Sequence, residues 1–169
     1  MKIVIHDASV LIDLTECDLV DAWCSLKFDA VTTSLIWREV NRKGQKAKLR
    51  RAVNKGGLRI EALSAELLTE VVNLRMELPD QISLEDASAL FFASAPGTVL
   101  LTSDSVLRKC ASRRGVEVHG MLWVFDMLVS SGATGADVAA DRLERLADRG
   151  TSRLPKDECN QRIKKWRKA

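Results

Sequence analysis

Short apolar runs alternate with longer amphipathic segments along most of the chain. Runs rich in β-branched and aliphatic residues predict five short buried strands, at 3–5, 30–32, 58–61, 98–102 and 116–118. Helical spacing of apolar residues predicts helices at 11–26 in two pieces, 35–53 with an interruption near Gly44, 64–78, 83–95, 105–114 and 120–129. Strands separated by helices predict right-handed crossovers, and hence a three-layer α/β/α sandwich around a mostly parallel sheet.

The best candidate for a domain boundary is the Ser130-Ser131-Gly132 cluster. We therefore predict one domain over residues 1–131 and a C-terminal helical extension over 132–169. The extension contains a predicted helix at 136–149 and a basic helix that follows Pro155 and continues to the end of the chain.

Composition points to a protein that stays in the cytoplasm and contacts no membrane. No apolar run approaches the roughly 20 residues that span a bilayer, and the N-terminus lacks a secretory pattern. The four cysteines are scattered without metal-type spacing, which predicts free thiols in a reducing compartment.

Charge is segregated, although the net charge is only +3. Residues 38–59 hold nine Lys or Arg against one acid, and residues 153–169 hold seven against two. Such segregation favours a polyanionic partner. The alternative is that both stretches are solvated helix faces.

Acidic residues stand where predicted strands end. Asp7 follows the first strand, and Asp104 follows the strand at 98–102. Ligands of open parallel sheets bind beyond the carboxyl ends of the strands, so these two carboxylates are expected to share a crevice. Glu39 and Asp86 are placed to reach the same rim. Crowded carboxylates repel one another, and a hard divalent cation with oxygen ligands removes that repulsion.

Each acid also has a purely structural explanation. Asp7 or Ser9 can cap the first helix, and Asp104 can cap the helix at 105–114. Glu39 lies four residues before Lys43, a favourable spacing for an exposed ion pair. Ser83 and Asp86 form a capping-box pattern.

Four motifs resemble, in order and spacing, the acidic motifs of PIN-domain proteins. They are H-D-A-S-V-L-I-D-L at 6–14, T-S-L-I-W-R-E-V at 33–40, L-E-D-A-S-A-L at 84–90 and L-L-T-S-D-S-V-L at 100–107. The run G-V-E-V-H-G-M-L-W-V at 115–124 is similar to the last strand and following helix of the family. The resemblance covers about residues 1–131.

The resemblance implies a metal-dependent ribonuclease, frequently the toxin of a VapBC-type toxin–antitoxin pair. Asp7, Glu39, Asp86 and Asp104 then match the family's acids and are the expected ligands of Mg²⁺ or Mn²⁺. Ser9 matches the small hydroxyl residue that orients a carboxylate or a water. Where some members carry a further acid beside the last motif, this chain has Ser103 and Ser105.

Further expectations depend on this resemblance. RNA is the expected substrate, held at its phosphates by Arg38, Arg42, Lys43 and Lys46, and a cognate antitoxin and a homodimer are expected partners. In the C-terminal helix, Ile163 and Trp166 either dock on the parent domain or contact RNA or an antitoxin.

The main alternative is a PIN-like module that keeps its acids but only binds RNA or protein. Phosphatases that need D-x-D after the first strand are disfavoured, because Ser9 replaces the second acid. A dinucleotide-binding fold is disfavoured because D-A-S-V-L contains no glycine.

Overall fold

A five-stranded sheet forms the centre of the molecule. The computed structural model describes residues 2–150 and 152–168. Its strands are β1 (Lys2–His6), β2 (Phe28–Thr33), β3 (Arg59–Glu61), β4 (Thr98–Leu101) and β5 (Glu117–His119). They pair in the order β3-β2-β1-β4-β5, and every pairing is parallel. The five predicted strands are confirmed to within two residues at each end.

The helices follow the predicted pattern closely. They are α1 (Ala8–Glu16), α2 (Val20–Cys24), α3 (Ser34–Glu39), α4 (Lys43–Asn54), α5 (Ala65–Met76), α6 (Leu84–Ala93), α7 (Ser105–Arg113), α8 (Met121–Ser130), α9 (Ala136–Asp148) and α10 (Lys156–Trp166). Within the described ranges, none of them has both the length and the apolar character that a membrane span requires.

The interruption of the basic helix was predicted at the wrong residue. It falls at residues 40–42, and Gly44 lies inside α4. Val40 ends α3 in an extended conformation and is fully buried, so the backbone leaves the helix to place this side chain in the core. Because the break separates Glu39 from Lys43, the two do not share a helix face. The described ion pairs do not include one between them.

Helices cover both faces of the sheet. The chain moves outward from β1 to β3, then returns to the other side of β1 for β4 and β5. With right-handed crossovers, this reversal puts α1, α2 and α4 on one face and α5, α6 and α7 on the other. Accordingly, α6 packs on β1, β2 and β4, whereas α4 packs on α1 and α2. The three-layer α/β/α fold is confirmed.

The C-terminal helices pack on the same hydrophobic core. Helix α9 contacts α8, and α10 lies along α9. Ile163 and Trp166 are buried, with Trp166 4% exposed and its ring 6.2 Å from that of Phe125. The expectation that these two side chains dock on the parent domain is confirmed. The predicted boundary between residues 131 and 132 stays a prediction.

Candidate functional site

The carboxyl ends of β1 and β4 meet at the point where the strand order reverses. Asp7 follows β1, and its N–H donates to the carbonyl of Leu101, the last residue of β4 (3.0 Å). Thr102 then connects the two strand ends: its hydroxyl donates to Asp7 Oδ2 (2.8 Å) and accepts from the Asp104 N–H (3.0 Å). In open parallel sheets this reversal opens a crevice where ligands bind.

Asp7 is a buried carboxylate, only 5% exposed, held by three donors. These donors are the N–H of Ala8 (2.6 Å) and the hydroxyls of Ser9 (2.8 Å) and Thr102 (2.8 Å). Burial raises the pKa of Asp7, and the nearby charge of Asp86 raises it further, although the hydrogen bonds act in the opposite direction. The protein thus fixes this carboxylate while making its charged form unfavourable.

Asp86 stands at the first turn of α6. Its Oδ2 accepts from the Ser83 N–H (3.0 Å), and the Ser83 hydroxyl accepts from the Asp86 N–H (3.0 Å), which completes the capping box. The Thr33 and Ser88 hydroxyls lie 2.7 Å apart and connect the end of β2 to the same helix. These contacts anchor the start of α6 at the carboxyl edge of the sheet.

Glu39 ends α3 above this edge. Its pKa is raised to about 7, first by desolvation and then by the charges of Glu85, Asp7 and Asp86. The side chain is exposed at the rim of the groove, with these three acids close by. Glu85 was missed in the sequence, although it is the neighbour of Asp86 in S-L-E-D.

Asp104 lies on the opposite side of the crevice, at the start of α7. Its Oδ1 accepts from the Leu107 N–H (2.7 Å), so it caps that helix. The preceding residue, Ser103, donates its N–H to Ser9 Oγ (3.2 Å). Asp104 therefore stands close to the Asp7–Ser9 turn.

An open groove of about 530 Å³ runs from these acids toward the C-terminal segment. Ser9, Glu39 and Asp104 line one part of it, and Asp13 and Glu16 of α1 line another. We refer to it as the acidic groove. Sequence patterns gave no signal for Asp13 and Glu16, because both read as ordinary polar positions of an amphipathic helix.

The donor atoms suit a hard divalent cation, since all are carboxylate or hydroxyl oxygens. Desolvation by burial, and then the charges of neighbouring acids, raise the pKa values of Asp7 and Glu39, and a bound cation would favour the charged forms. Among residues 2–150 and 152–168, however, no three His, Cys, Asp or Glu side chains already stand in a geometry that could hold a metal.

The proposed phosphate-binding residues lie beside Glu39. Arg38, Arg42 and Lys43 are exposed, and Arg42 also lines the acidic groove. The Lys46 ammonium lies 5.4 Å from the centre of the Trp37 ring. Several cations of this stretch form ion pairs: Arg42 lies 3.5 Å from Glu16, Lys48 2.9 Å from Asp18 and Lys55 3.2 Å from Asp21. The basic stretch is thus partly neutralised.

A family model described as a PIN domain (DUF3368) matches residues 3–168. The fold is similar to a PilT N-terminus domain protein from the hyperthermophilic archaeon Sulfolobus solfataricus P2, with 15% identity and a TM-score of 0.45, covering 75% of this chain and 93% of that one. It is also similar to a domain of a functionally unknown protein from Methanocaldococcus jannaschii DSM 2661, with 17% identity and a TM-score of 0.47, covering 71% and 91%. No curated protein matches the sequence.

Proposed function

The chain belongs to the PIN-domain family, and from that premise we propose that it is a metal-dependent endoribonuclease that hydrolyses RNA phosphodiester bonds. The PIN domain is typically a nuclease fold. The observation that carries the proposal is the meeting of Asp7, Glu39 and Asp86 closely enough to shift pKa values, with Asp104 across the same crevice.

In this proposal Asp7 and Asp104 hold the principal Mg²⁺ or Mn²⁺, and Glu39 and Asp86 complete its environment directly or through water. A bound divalent ion supplies an activated water and neutralises charge that develops on the phosphate. Ser9 keeps the Asp7 carboxylate oriented through its hydrogen bond. Burial raises the pKa of both Asp7 and Glu39, and a bound cation would favour the charged carboxylates that serve as ligands.

RNA is held electrostatically beside the acids. Arg38, Arg42, Lys43 and Lys46 follow or flank Glu39, and their charges offset the repulsion between phosphates and the acidic groove. Each phosphate contact releases counterions, so RNA affinity should fall steeply with salt concentration.

The biological setting is proposed from the family resemblance alone. On that basis the protein acts in the cytoplasm as the toxin of a type II toxin–antitoxin pair, forms a homodimer, and is covered by a cognate antitoxin. Co-purification with the product of a small neighbouring reading frame, followed by a mass measurement in solution, tests both partners.

The nuclease proposal predicts loss of activity when either principal carboxylate becomes an amide. Asp7→Asn and Asp104→Asn should lower the initial rate of RNA cleavage in Mn²⁺ by at least about 100-fold. Even groups that merely orient metal ligands contribute roughly 10- to 100-fold. Wild-type cleavage should also stop in EDTA. The measurement is cleavage of a structured RNA followed on a gel.

The matched control is Asp80→Asn, which makes the same substitution at an exposed position between α5 and α6. It should cleave at the wild-type rate. Full activity of Asp7→Asn, or of the wild type in EDTA, contradicts the metal-nuclease mechanism. Salt-sensitive RNA binding without cleavage in any divalent ion would instead favour the binding-module alternative.

A further inference from the structure

A second cavity, of about 360 Å³, lies beside the acidic groove. It opens between the end of β5, the start of α8 and the linker that leads into α10. Ser103 and Arg153 line both cavities, so the two share a wall. We call it the side cavity. The acids and the basic residues that we assign to the nuclease site do not line this cavity.

Stacked aromatic rings form one wall of the side cavity. The His119 and Trp123 rings are nearly parallel, with centroids 4.5 Å apart and an interplanar angle of 8°. Trp123 is fixed from behind by the rings of Trp23 and Phe28, at 6.0 and 5.9 Å. The His119 side chain remains 30% exposed, and Glu117 lies 3.0 Å from its Nε2. A planar ligand entering the cavity therefore finds a rigid stack that it can extend.

Guanidinium groups form another wall. Arg108 donates from Nη1 to the Thr102 carbonyl (3.2 Å) and lies against the backbone of Gly120, where an added Cβ would be 3.3 Å from Nη1. Arg153 is exposed and stands at the wall shared with the acidic groove. A side chain at position 120 would thus crowd the Arg108 guanidinium.

Not every cation of the side cavity is available to a ligand. Arg162 pairs with both oxygens of Asp126 (2.8 to 3.1 Å) and with Glu158 (3.4 Å). The cavity lining holds three arginines and these two acids, so its net charge is +1. That charge comes from Arg108 and Arg153, on the side nearest the acidic groove.

We propose that the side cavity binds one nucleotide of the RNA strand next to the bond that is cut. Its base extends the His119–Trp123 stack, and its phosphate contacts Arg108 and Arg153. Aromatic stacking with nearby cations is the usual means of holding single-stranded nucleic acid without strict sequence preference. This inference rests on the proposed nuclease function, and it gives the C-terminal linker a role in holding substrate.

The test is a ¹H–¹⁵N NMR titration of the full chain in EDTA, where no cleavage takes place. The probes are the four ribonucleoside 5′-monophosphates, the matching nucleosides and inorganic phosphate. We expect at least one mononucleotide to shift the Trp123 indole and Gly120 amide signals. The Gly97 amide, which precedes β4 at the amino-end edge of the sheet, should not move and serves as an internal control.

Two pairs of variants separate stacking from charge. His119→Ala should weaken mononucleotide binding about 5-fold or more, the range expected for loss of one stacked base, whereas His119→Phe keeps a flat ring and should bind nearly as the wild type. Arg108→Gln should weaken mononucleotides and phosphate but not nucleosides. Arg113→Gln makes the same charge change on α7 at an exposed position and should have no effect.

The proposal is overturned if no mononucleotide shifts the Trp123 and Gly120 signals at millimolar concentration, or if His119→Ala binds as well as His119→Phe. In cleavage assays, His119→Ala should raise KM with little change in kcat, and an unchanged KM also overturns it. Failure of the nuclease proposal looks different: wild-type protein would cleave no RNA in Mn²⁺, while the mononucleotide shifts persist. Asp7→Asn, inactive in cleavage, should keep those shifts.

Discussion

At the scale of single residues, burial controls the charge of several titratable groups near the sheet edge. His6 is fully buried, and burial lowers its pKa to about 4. It is therefore neutral, accepting from the Trp23 indole N–H (2.7 Å) and donating from Nδ1 to the Val31 carbonyl (3.0 Å). Asp7 is shifted in the opposite sense, because the neutral form of a buried carboxyl is the protonated one.

Asp13 provides a residue-scale prediction with a defined sign. Burial, and secondarily the charge of Glu16, raises its pKa from 3.8 to about 6, despite the hydrogen bond from the Ser152 hydroxyl (3.0 Å). Between these two values the folded state binds a proton that the unfolded state does not, so Asp13 adds stability as pH falls through 6 and opposes folding above it. This rise in pKa corresponds to a free-energy difference of about 3 kcal/mol between the two protonation states.

Asp13→Asn should therefore raise the free energy of unfolding at about pH 7.5, by up to about 3 kcal/mol. The difference from wild type should fall to about 1 kcal/mol at about pH 4.5 and vanish only below the unfolded-state pKa of 3.8. Urea denaturation at the two pH values measures it, with Asp80→Asn as an exposed control that shows little difference at either. A destabilised Asp13→Asn at the higher pH would mean that the charged form is favoured in the fold.

At the scale of elements, helix N-termini position the site. Asp7 caps α1, Asp104 caps α7, and Asp86 closes the capping box of α6 with Ser83. From the sequence, helix capping and metal binding are alternative roles for these acids. In the fold the two roles are compatible. Each carboxylate uses an oxygen to satisfy a helix N–H, and this same contact fixes its direction at the sheet edge.

Ser83→Ala and Ser64→Ala form a matched pair. Both serines accept the N3 N–H of their helices, at 3.0 Å in α6 and 3.2 Å in α5, so each substitution should lower the free energy of unfolding by about 1 kcal/mol. Only Ser83 caps a helix whose first turn carries a site acid: its hydroxyl accepts from the Asp86 N–H, whereas the Asp86 carboxylate accepts from the Ser83 backbone N–H, which the substitution keeps. RNA cleavage well below the folding midpoint should therefore fall several-fold in Ser83→Ala alone. Equal cleavage by the two variants would show that Asp86 does not need its cap for activity.

At the scale of the whole molecule, side-chain contacts join the C-terminal segment to the rest of the PIN fold. Arg162 reaches Asp126 of α8, and Ser152 reaches Asp13 of α1. Arg153 lines both the acidic groove and the side cavity. The last helices thus contribute to the core and to the walls of the proposed site.

Trp166→Ala is expected to destabilise the whole fold. The side chain is 4% exposed and packs near Phe125, and truncation of a buried Trp removes about 3 kcal/mol or more of stability. Met76→Ala, at a side chain that is 79% exposed, should change stability by less than about 0.5 kcal/mol. Chemical denaturation compares them. A small effect of Trp166→Ala, with the rest of the fold unfolding as before, would mean that α10 detaches independently.

The sequence determined the local features of this protein. The spacing of hydrophobic residues predicted the strands and helices, and Asp7 and Asp104 could be placed at strand ends. Both signals lie within a few neighbouring residues of the chain. The break between α3 and α4 was predicted at Gly44, four residues after Val40. Its true position depends on the burial of Val40 in the core, which involves distant parts of the chain.

Only the tertiary structure decided which distant residues meet. The order of strands brings β1 beside β4, which puts Asp7 next to Thr102, and the packing of helices adds Glu85 and Asp13 to the neighbourhood of the site. The stack of His119 on Trp123 and the docking of the last helix likewise depend on contacts between elements. Patterns within one segment carry information about its own conformation and burial, whereas proximity across the fold arises from how all segments pack together.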